Sequence, residues 1–187
     1  MPLLRNFAIA VFVVWLFVDG VVVFRRMSSK AENRDRFSLR VIAAGNILAW
    51  VIAIWLSFTR LGMIVAPLPW QIAGLAIMAL GIATRSIAIA QLGRFHTPNV
   101  AVLADHEVFD RGLYRRIRHP SYLGALIAFF GFGLALGNWL SLLVVMALAL
   151  IVYLYRIHEE EAALLNALGE RYAEYCRRTK RLVPGVY

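Results

Sequence analysis

The sequence predicts an all-α integral membrane protein, and three observations carry this prediction. Of the 187 residues, 61% are hydrophobic and only 17% are charged, whereas a soluble domain is typically about half apolar and about a quarter charged. The apolar residues are gathered into long runs. The net charge of +9 comes from basic residues at the ends of these runs, where they face anionic headgroups. A single membrane domain (residues 1–187) that binds no nucleic acid is therefore predicted.

Five apolar runs define the predicted transmembrane helices: residues 3–24, 41–58, 70–92, 123–136 and 140–155. The third run follows the helix breaker Pro67-Leu68-Pro69, and Ser38 is placed to cap the second helix. Because a spanning helix needs about 20 residues, the two shorter last runs are predicted to form a tight helical hairpin around Gly137-Asn138-Trp139. A re-entrant hairpin is the alternative.

The distribution of Lys and Arg predicts the orientation. Segments 25–40, 93–120 and 156–187 carry six, five and six of these residues, whereas the opposite side carries Arg5 and Arg60. Because basic loops stay in the cytosol, we expect five spans with the N-terminus outside and the C-terminus cytosolic. The first run lacks a small-residue cleavage site, so a retained helix is expected rather than a signal peptide.

The tail from residue 158 to about 179 is predicted to be a cytosolic amphipathic helix. Its apolar residues recur at helical spacing: Leu164, Leu165, Leu168, Tyr172 and Cys176. Cys176 is the single cysteine, which excludes an internal disulfide and a multi-cysteine metal site. The histidines do not have metal-ligand spacing either, so no metal site is predicted. We expect a monomer.

Two polar clusters, residues 111–124 and 156–161, lie at the same end of the two hairpin helices. His119 precedes Pro120, which is well tolerated at a first helical position. Tyr122 follows three residues after His119 and shares its helix face. A helix start also favours a nearby anionic group. Taken alone, this motif is typical of a helix cap with an interfacial tyrosine.

The second cluster places Arg156 and Glu160 four residues apart on one helix face. Taken alone, they are typical of a surface ion pair. However, three consecutive acids, Glu159-Glu160-Glu161, point in different directions, so at least one is expected to turn inward. A buried carboxylate needs a cation, from an arginine or from a ligand. Together the two clusters predict a site at the cytosolic membrane surface.

Two charges, Asp19 and Arg85, lie inside predicted spans. Charges in a membrane are costly and are candidates for function. Arg85 lies about two turns from the cytosolic boundary, so its side chain can also reach the interface. A functional role and a structural ion pair stay open for Arg85, whereas a structural role is expected for Asp19.

The two clusters together resemble a known family. Gly112-Leu113-Tyr114, then residues 118–124 (RHPSYLG), then Arg156 with Glu159-Glu160-Glu161 resemble the signature of the isoprenylcysteine carboxyl methyltransferases, membrane enzymes that use S-adenosylmethionine. The resemblance covers about residues 85–187, which it implies to be the catalytic region. Residues 1–84 are then mostly scaffold.

The resemblance also implies residue roles. Arg156 corresponds to the substrate-contacting arginine and is the candidate catalytic residue. The implied cofactor-binding residues are His106, Glu107, Val108, Phe109, Tyr114, His119, Pro120, Ser121, Tyr122 and Glu160. Glu107 and Phe109 depart from the smaller or aliphatic residues of the family. A family glutamine has Asn99 as its nearest counterpart here.

The resemblance implies methyl transfer from S-adenosylmethionine to a lipidic or prenylated acceptor, most like carboxyl methylation of an isoprenylcysteine. Methyl transfer requires alignment and water exclusion, and a carboxylate acceptor is already ionised at neutral pH. An amine acceptor would need a base such as His158 or a glutamate. The alternatives are a phospholipid N-methyltransferase, an NADPH-dependent membrane reductase and a non-catalytic membrane scaffold. For the reductase, Arg111, Arg115 and Arg116 are the candidate phosphate ligands.

Overall fold

The computed structural model describes residues 2–25, 33–93, 96 and 108–183. These residues form a helical structure with a short 3₁₀ turn (Gly112–Arg115) before the fourth helix. The helices are α1 (Pro2–Arg25), α2 (Asn33–Ser57), α3 (Pro67–Leu92), α4 (Pro120–Ala135), α5 (Trp139–Leu168) and α6 (Glu170–Arg178).

Three of the described helices, α1, α3 and α5, are long and apolar enough to cross a membrane. The apolar part of α2 (Ala43–Ser57) and the whole of α4 are shorter. Large hydrophobic side chains such as Phe17 and Trp55 are exposed on the outer surface. This combination is typical of an integral membrane protein, whose outer face contacts lipid instead of water.

Three helix boundaries differ from the predicted ones. α3 begins at Pro67 rather than near Trp70, because proline fits the first helical positions, where no N–H partner is needed. Ser38 lies inside α2 rather than at its start. The predicted tail helix is divided at Gly169, whose φ of 55° ends α5; its first part is therefore the continuation of α5, and α6 is a separate helix.

Glycines allow α3 and α4 to pack with their backbones in contact. A Cβ atom on Gly74 would lie 2.5 Å from the Ala135 nitrogen, and one on Gly124 would lie 2.5 Å from the Arg85 nitrogen. Small residues at such spacing let membrane helices approach closely. The approach brings the C-terminal half of α3 directly beside the start of α4.

An aromatic cluster joins α1 and α2 to this pair. Phe12 of α1 is fully buried and stacks on Phe132 of α4, with ring centroids 3.7 Å apart. Trp50 of α2 meets the Phe12 ring edge-on at 5.6 Å. Aromatic pairs of this kind add favourable contact to the apolar area that they bury.

Asn138 fixes the connection between α4 and α5. Its side-chain oxygen accepts a hydrogen bond from the Ser141 nitrogen at 3.0 Å and so caps α5. Its amide nitrogen donates to the carbonyl oxygens of Leu56 at 3.1 Å and Leu61 at 2.7 Å. The short connection predicted around residues 137–139 is therefore confirmed, and the polar clusters lie at the other end of α4 and α5.

Candidate active site

The candidate site begins at the first turn of α4. Pro120 occupies the first helical position, as predicted, with His119 as the N-cap residue. The backbone nitrogens of Tyr122 and Leu123 already donate to the His119 carbonyl oxygen, at 3.1 and 3.0 Å. Proline has no N–H group, and these two nitrogens are already paired. The start of α4 therefore offers few N–H donors to an anion.

His119 and Tyr122 form a stacked pair, which confirms that they share one helix face. Their rings are almost parallel, with an angle of 7° and a centroid distance of 5.4 Å. His119 is buried, with a relative exposure of 4%. The side chain therefore lies in the protein interior, not at the headgroup surface.

Glu160 joins this pair from α5. The Tyr122 hydroxyl donates a hydrogen bond of 2.6 Å to Glu160 Oε2, and His119 Nδ1 lies 3.9 Å from the same oxygen. Glu160 Oε1 accepts no hydrogen bond from the residues that the structure describes. The Glu160 side chain keeps 28% of its surface exposed. One carboxylate oxygen is thus held in place by Tyr122.

Glu161, in contrast, is occupied by groups of the chain itself. Its Oε1 accepts hydrogen bonds from Arg118 Nε at 2.8 Å and from His119 Nε2 at 3.2 Å. Its Oε2 accepts a hydrogen bond from Arg181 Nε at 2.9 Å. The expectation that at least one of the consecutive acids turns inward is therefore confirmed, and the cations that Glu161 needs come from two arginines.

The C-terminal segment supports the site through backbone pairing. Ile117 and Lys180 form a parallel bridge. The Arg118 nitrogen donates to the Lys180 carbonyl oxygen at 2.7 Å, and the His119 nitrogen donates to the Arg181 carbonyl oxygen at 3.0 Å. This support was missed by the sequence reasoning, since a pairing of so few residues leaves no periodic pattern.

Tyr114 packs beneath the site, between α3 and the tail. It is buried; its hydroxyl donates to the Ala88 carbonyl oxygen at 3.3 Å, and its own carbonyl oxygen accepts from the Tyr175 hydroxyl at 2.6 Å. Phe109 meets the ring edge-on at 5.4 Å. Burial, and next the negative charge of Glu160, raise the pKa of Tyr114. Tyr114 therefore stays a neutral donor near Glu160.

Arg156 lies one turn before Glu160 on α5 and is buried. It is close enough to Tyr122 and Tyr153 to interact with them electrostatically. Pro120 and Ser121 are buried as well, and Val108 is half-buried. His106, Glu107 and Asn99 lie outside the described residues. The structure thus brings together the predicted residues of both polar clusters.

Arg85 forms an ion pair, which is one of the two roles that the sequence left open for it. Its guanidinium bonds Asp19 of α1 through two contacts, Nε to Oδ1 at 2.7 Å and Nη2 to Oδ2 at 2.8 Å. Its Nη1 also donates to the Ser121 carbonyl oxygen at 3.3 Å. The pair therefore connects α1 and α3 with the first turn of α4, close to the candidate site.

Residues 74–166 of this chain match the profile of the isoprenylcysteine carboxyl methyltransferase (ICMT) family. Through these residues, which make up just under half of the chain, the protein is similar to the ICMT family. The matched region contains both polar clusters, from the start of α4 to Glu161 in α5. The similarity to the family therefore lies in the part of the chain that forms the candidate site.

Two curated relatives share this region. The chain is 32% identical over 117 residues to a protein-S-isoprenylcysteine O-methyltransferase of Schizosaccharomyces pombe, covering 62% of this chain and 50% of the relative. It is 35% identical over 118 residues to protein-S-isoprenylcysteine O-methyltransferase B of Arabidopsis thaliana, covering 60% and 58%. The chain thus spans about half the length of these relatives.

A solved structure shares the fold. It is that of the eukaryotic intramembrane Ras methyltransferase ICMT, with a TM-score of 0.57 and 24% sequence identity. The similarity covers 80% of this chain and 53% of the solved one. Together with the long apolar helices, this neighbour supports an integral membrane protein of the ICMT fold.

Proposed function

We propose that this chain transfers a methyl group from S-adenosylmethionine to the carboxylate of an isoprenylcysteine-type acceptor. The observation that carries the proposal is the convergence of His119, Tyr122 and Glu160 at one end of α4 and α5. This cluster lies within the residues that match the family. The S. pombe and A. thaliana relatives, named for this activity, support the same reaction.

The residues fit S-adenosylmethionine as the methyl donor. Glu160 offers an available carboxylate oxygen in a partly exposed position, which suits an ammonium or a sulfonium group. We propose that the cofactor is held by Glu160, Tyr114 and the first turn of α4 (residues 119–122), together with residues 106–109. When bound, S-adenosylmethionine supplies a methyl group activated by the sulfonium charge.

The protein's own task is then alignment and water exclusion. Arg156 is buried and close enough to Tyr122 to interact with it electrostatically. A guanidinium there can orient an acceptor carboxylate through two parallel hydrogen bonds. That carboxylate is ionised at neutral pH, so no general base is required. We therefore assign Arg156 to the acceptor and Glu160 to the cofactor.

The proposed site faces the cytosol. We propose five membrane spans, α1 to α5, with the N-terminus outside. The support is the strong bias of Lys and Arg toward the segments that follow α1 and α3 and toward the tail. α5 is 30 residues long, which at about 1.5 Å per residue exceeds the apolar thickness of about 30 Å. Its last turns, which contain Glu160 and Glu161, then extend into the cytosolic interface.

Calorimetric titration of the purified protein with S-adenosylhomocysteine and, separately, NADPH tests the cofactor class. Micromolar binding of S-adenosylhomocysteine alone is expected. Binding of NADPH alone would support a membrane reductase, and binding of neither would support a scaffold. Glu160→Ala should abolish S-adenosylhomocysteine binding, while Glu159→Ala, at an exposed neighbouring position, should preserve it.

The acceptor class requires a second assay. Methyl transfer to a prenylcysteine analogue is measured beside transfer to phosphatidylethanolamine in the same detergent or vesicle preparation. Turnover of the prenylcysteine analogue alone is expected. Turnover of phosphatidylethanolamine alone would contradict carboxyl methylation and would identify an amine as the acceptor.

A further inference from the structure

We propose that Glu161 is a positioning residue that fixes His119 as its Nε2–H tautomer, so that Nδ1 becomes a hydrogen-bond acceptor beside Glu160. The inference rests on the proposed function, because the ligand group that it names belongs to S-adenosylmethionine. It adds a role for an acid that the family resemblance leaves without one. It also gives His119 a defined chemical character within the cofactor site.

The tautomer follows from the partner of each ring nitrogen. His119 Nε2 lies 3.2 Å from Glu161 Oε1, and an ionised carboxylate can only accept a hydrogen bond. Nε2 therefore carries the hydrogen. Nδ1 lies 3.9 Å from Glu160 Oε2, which is too long for a hydrogen bond. In the neutral ring Nδ1 then keeps its lone pair, in the same way that a carboxylate partner sets the tautomer of a metal-binding histidine.

Glu161 can impose this orientation because two arginines fix its own carboxylate. Arg118 and Arg181 hold its two oxygens at 2.8 and 2.9 Å. The backbone pairing of residues 116–119 with residues 180 and 181 holds both arginines and His119 on one short ladder. The Tyr122 ring covers the imidazole face. Rotation of the His119 ring would break several of these contacts at once.

The consequence is a pair of acceptors in one place. Glu160 offers Oε1, and His119 offers Nδ1 next to the other Glu160 oxygen. Two neighbouring acceptors favour a cationic group with several N–H donors, since an ammonium carries three. Of the polar groups of S-adenosylmethionine, the ammonium has this character, whereas the carboxylate would be repelled. We therefore assign His119 Nδ1 and Glu160 Oε1 to the cofactor ammonium.

The tautomer is measured directly on the unmodified protein. The chain has four histidines, and ¹⁵N-histidine labelling with long-range ¹H–¹⁵N spectra at pH 8 distinguishes the protonated from the unprotonated nitrogen of each ring. The His119 signals are assigned by their loss in His119→Gln. A protonated Nε2 and an unprotonated Nδ1 are expected. A hydrogen on Nδ1, whether alone or together with one on Nε2, would overturn the proposal.

Two variants separate positioning from general stability. Glu161→Ala removes the acceptor of His119 and should give averaged His119 tautomers with about tenfold weaker S-adenosylhomocysteine binding, equivalent to about 1.4 kcal/mol. Arg181→Gln removes one contact of Glu161 but leaves the His119 contact in place, so the Nε2–H tautomer should persist. Glu159→Ala is the matched control for loss of an acid.

The outcomes distinguish this inference from the proposed function. Absence of S-adenosylhomocysteine binding in the unmodified protein contradicts the proposed function, whatever the tautomer. Normal binding and an unchanged tautomer in a folded Glu161→Ala variant contradict the positioning role alone. If Glu161→Ala does not fold, the His119 tautomer is still measured in the unmodified protein and in Arg181→Gln. A hydrogen on Nδ1 in either protein would contradict the inference.

Discussion

The Tyr122 hydroxyl donates a hydrogen bond of 2.6 Å to Glu160 Oε2 and so joins the first turn of α4 to the C-terminal half of α5. A hydrogen bond to a charged group contributes about 1.5–3 kcal/mol. Tyr122→Phe removes this bond but keeps the ring that covers His119. We expect a folded protein whose S-adenosylhomocysteine affinity, measured by calorimetry, is lower by about tenfold or more.

Tyr155→Phe is the matched control, because Tyr155 lies on the same helix as Glu160 with 45% of its surface exposed. It should bind S-adenosylhomocysteine as the unmodified protein does. Equal affinity of Tyr122→Phe and the unmodified protein would show that the oriented carboxylate does not contribute to binding.

The sequence predicted which side chains of the site share a helix face, because these residues are close along one helix. The spacing of His119 and Tyr122 on α4 and of Arg156 and Glu160 on α5 is local, and helix geometry converts it into a shared face. The difference between Glu160 and Glu161 was not predictable in this way. It depends on Arg118 and Arg181, which are 43 and 20 residues from Glu161.

Arg156 is expected to act on the acceptor rather than on the cofactor. Arg156→Ala should keep S-adenosylhomocysteine binding within about twofold while lowering turnover by at least about 100-fold, since the acceptor carboxylate loses its guanidinium partner. Arg156→Lys keeps the charge without the planar fork and should recover only part of the activity. Calorimetry and a methyl-transfer assay measure the two effects separately. Loss of S-adenosylhomocysteine binding in Arg156→Ala would reverse the assignment.

The Arg85–Asp19 pair should stabilise the fold only as a pair. Asp19→Ala leaves a buried guanidinium without its carboxylate, and breaking such a pair costs about 3–5 kcal/mol. We therefore expect a large decrease in the thermal unfolding temperature in detergent. The double variant Asp19→Leu/Arg85→Met replaces both charges with apolar groups and should recover most of the stability.

The same double variant decides the role that the sequence left open for Arg85. Arg85 Nη1 contacts the Ser121 carbonyl oxygen in the first turn of α4. If the pair is only structural, a stable double variant retains methyl transfer. A stable double variant without activity would show that the contact with Ser121 contributes to the site.

The contact between α3 and α4 should depend on Gly81. A Cβ atom there would lie 2.6 Å from the Gly124 carbonyl oxygen and 2.7 Å from the Ala128 Cα atom, and backbone atoms cannot move aside as a side chain can. Gly81→Ala is expected to separate the helices and to destabilise the protein, measured by its unfolding temperature. Gly20→Ala is the control, since a Cβ atom on Gly20 would meet no neighbouring group of the described residues within 4 Å. Equal stability of the two variants would contradict the close packing.

This packing also marks where prediction from the sequence ends. Each hydrophobic run located one helix, because burial in lipid requires continuous apolar length. The polar ends of the helices were not predicted from the runs: α2 begins at Asn33, before its run, and α5 continues to Leu168, beyond its run. The runs did not indicate which helices touch. The pairing of α3 with α4 depends on glycines 74, 81, 124 and 131 facing one another. Each run contains only two of these glycines, so neither run alone indicates its partner helix.

Cys176 should react slowly with alkylating reagents in the folded protein. It lies on α6, and burial raises the pKa of its thiol above the ordinary value, an effect that the nearby Arg118 only partly opposes. The reactive form is the thiolate. At pH 8 the folded protein therefore holds less thiolate than the unfolded chain, and the rate of alkylation should rise as the pH increases toward the raised pKa. Mass spectrometry after iodoacetamide treatment measures the rate, with the same protein unfolded in urea as the control. Equal rates in the folded and unfolded protein at pH 8 would show that the fold does not shield the Cys176 thiol.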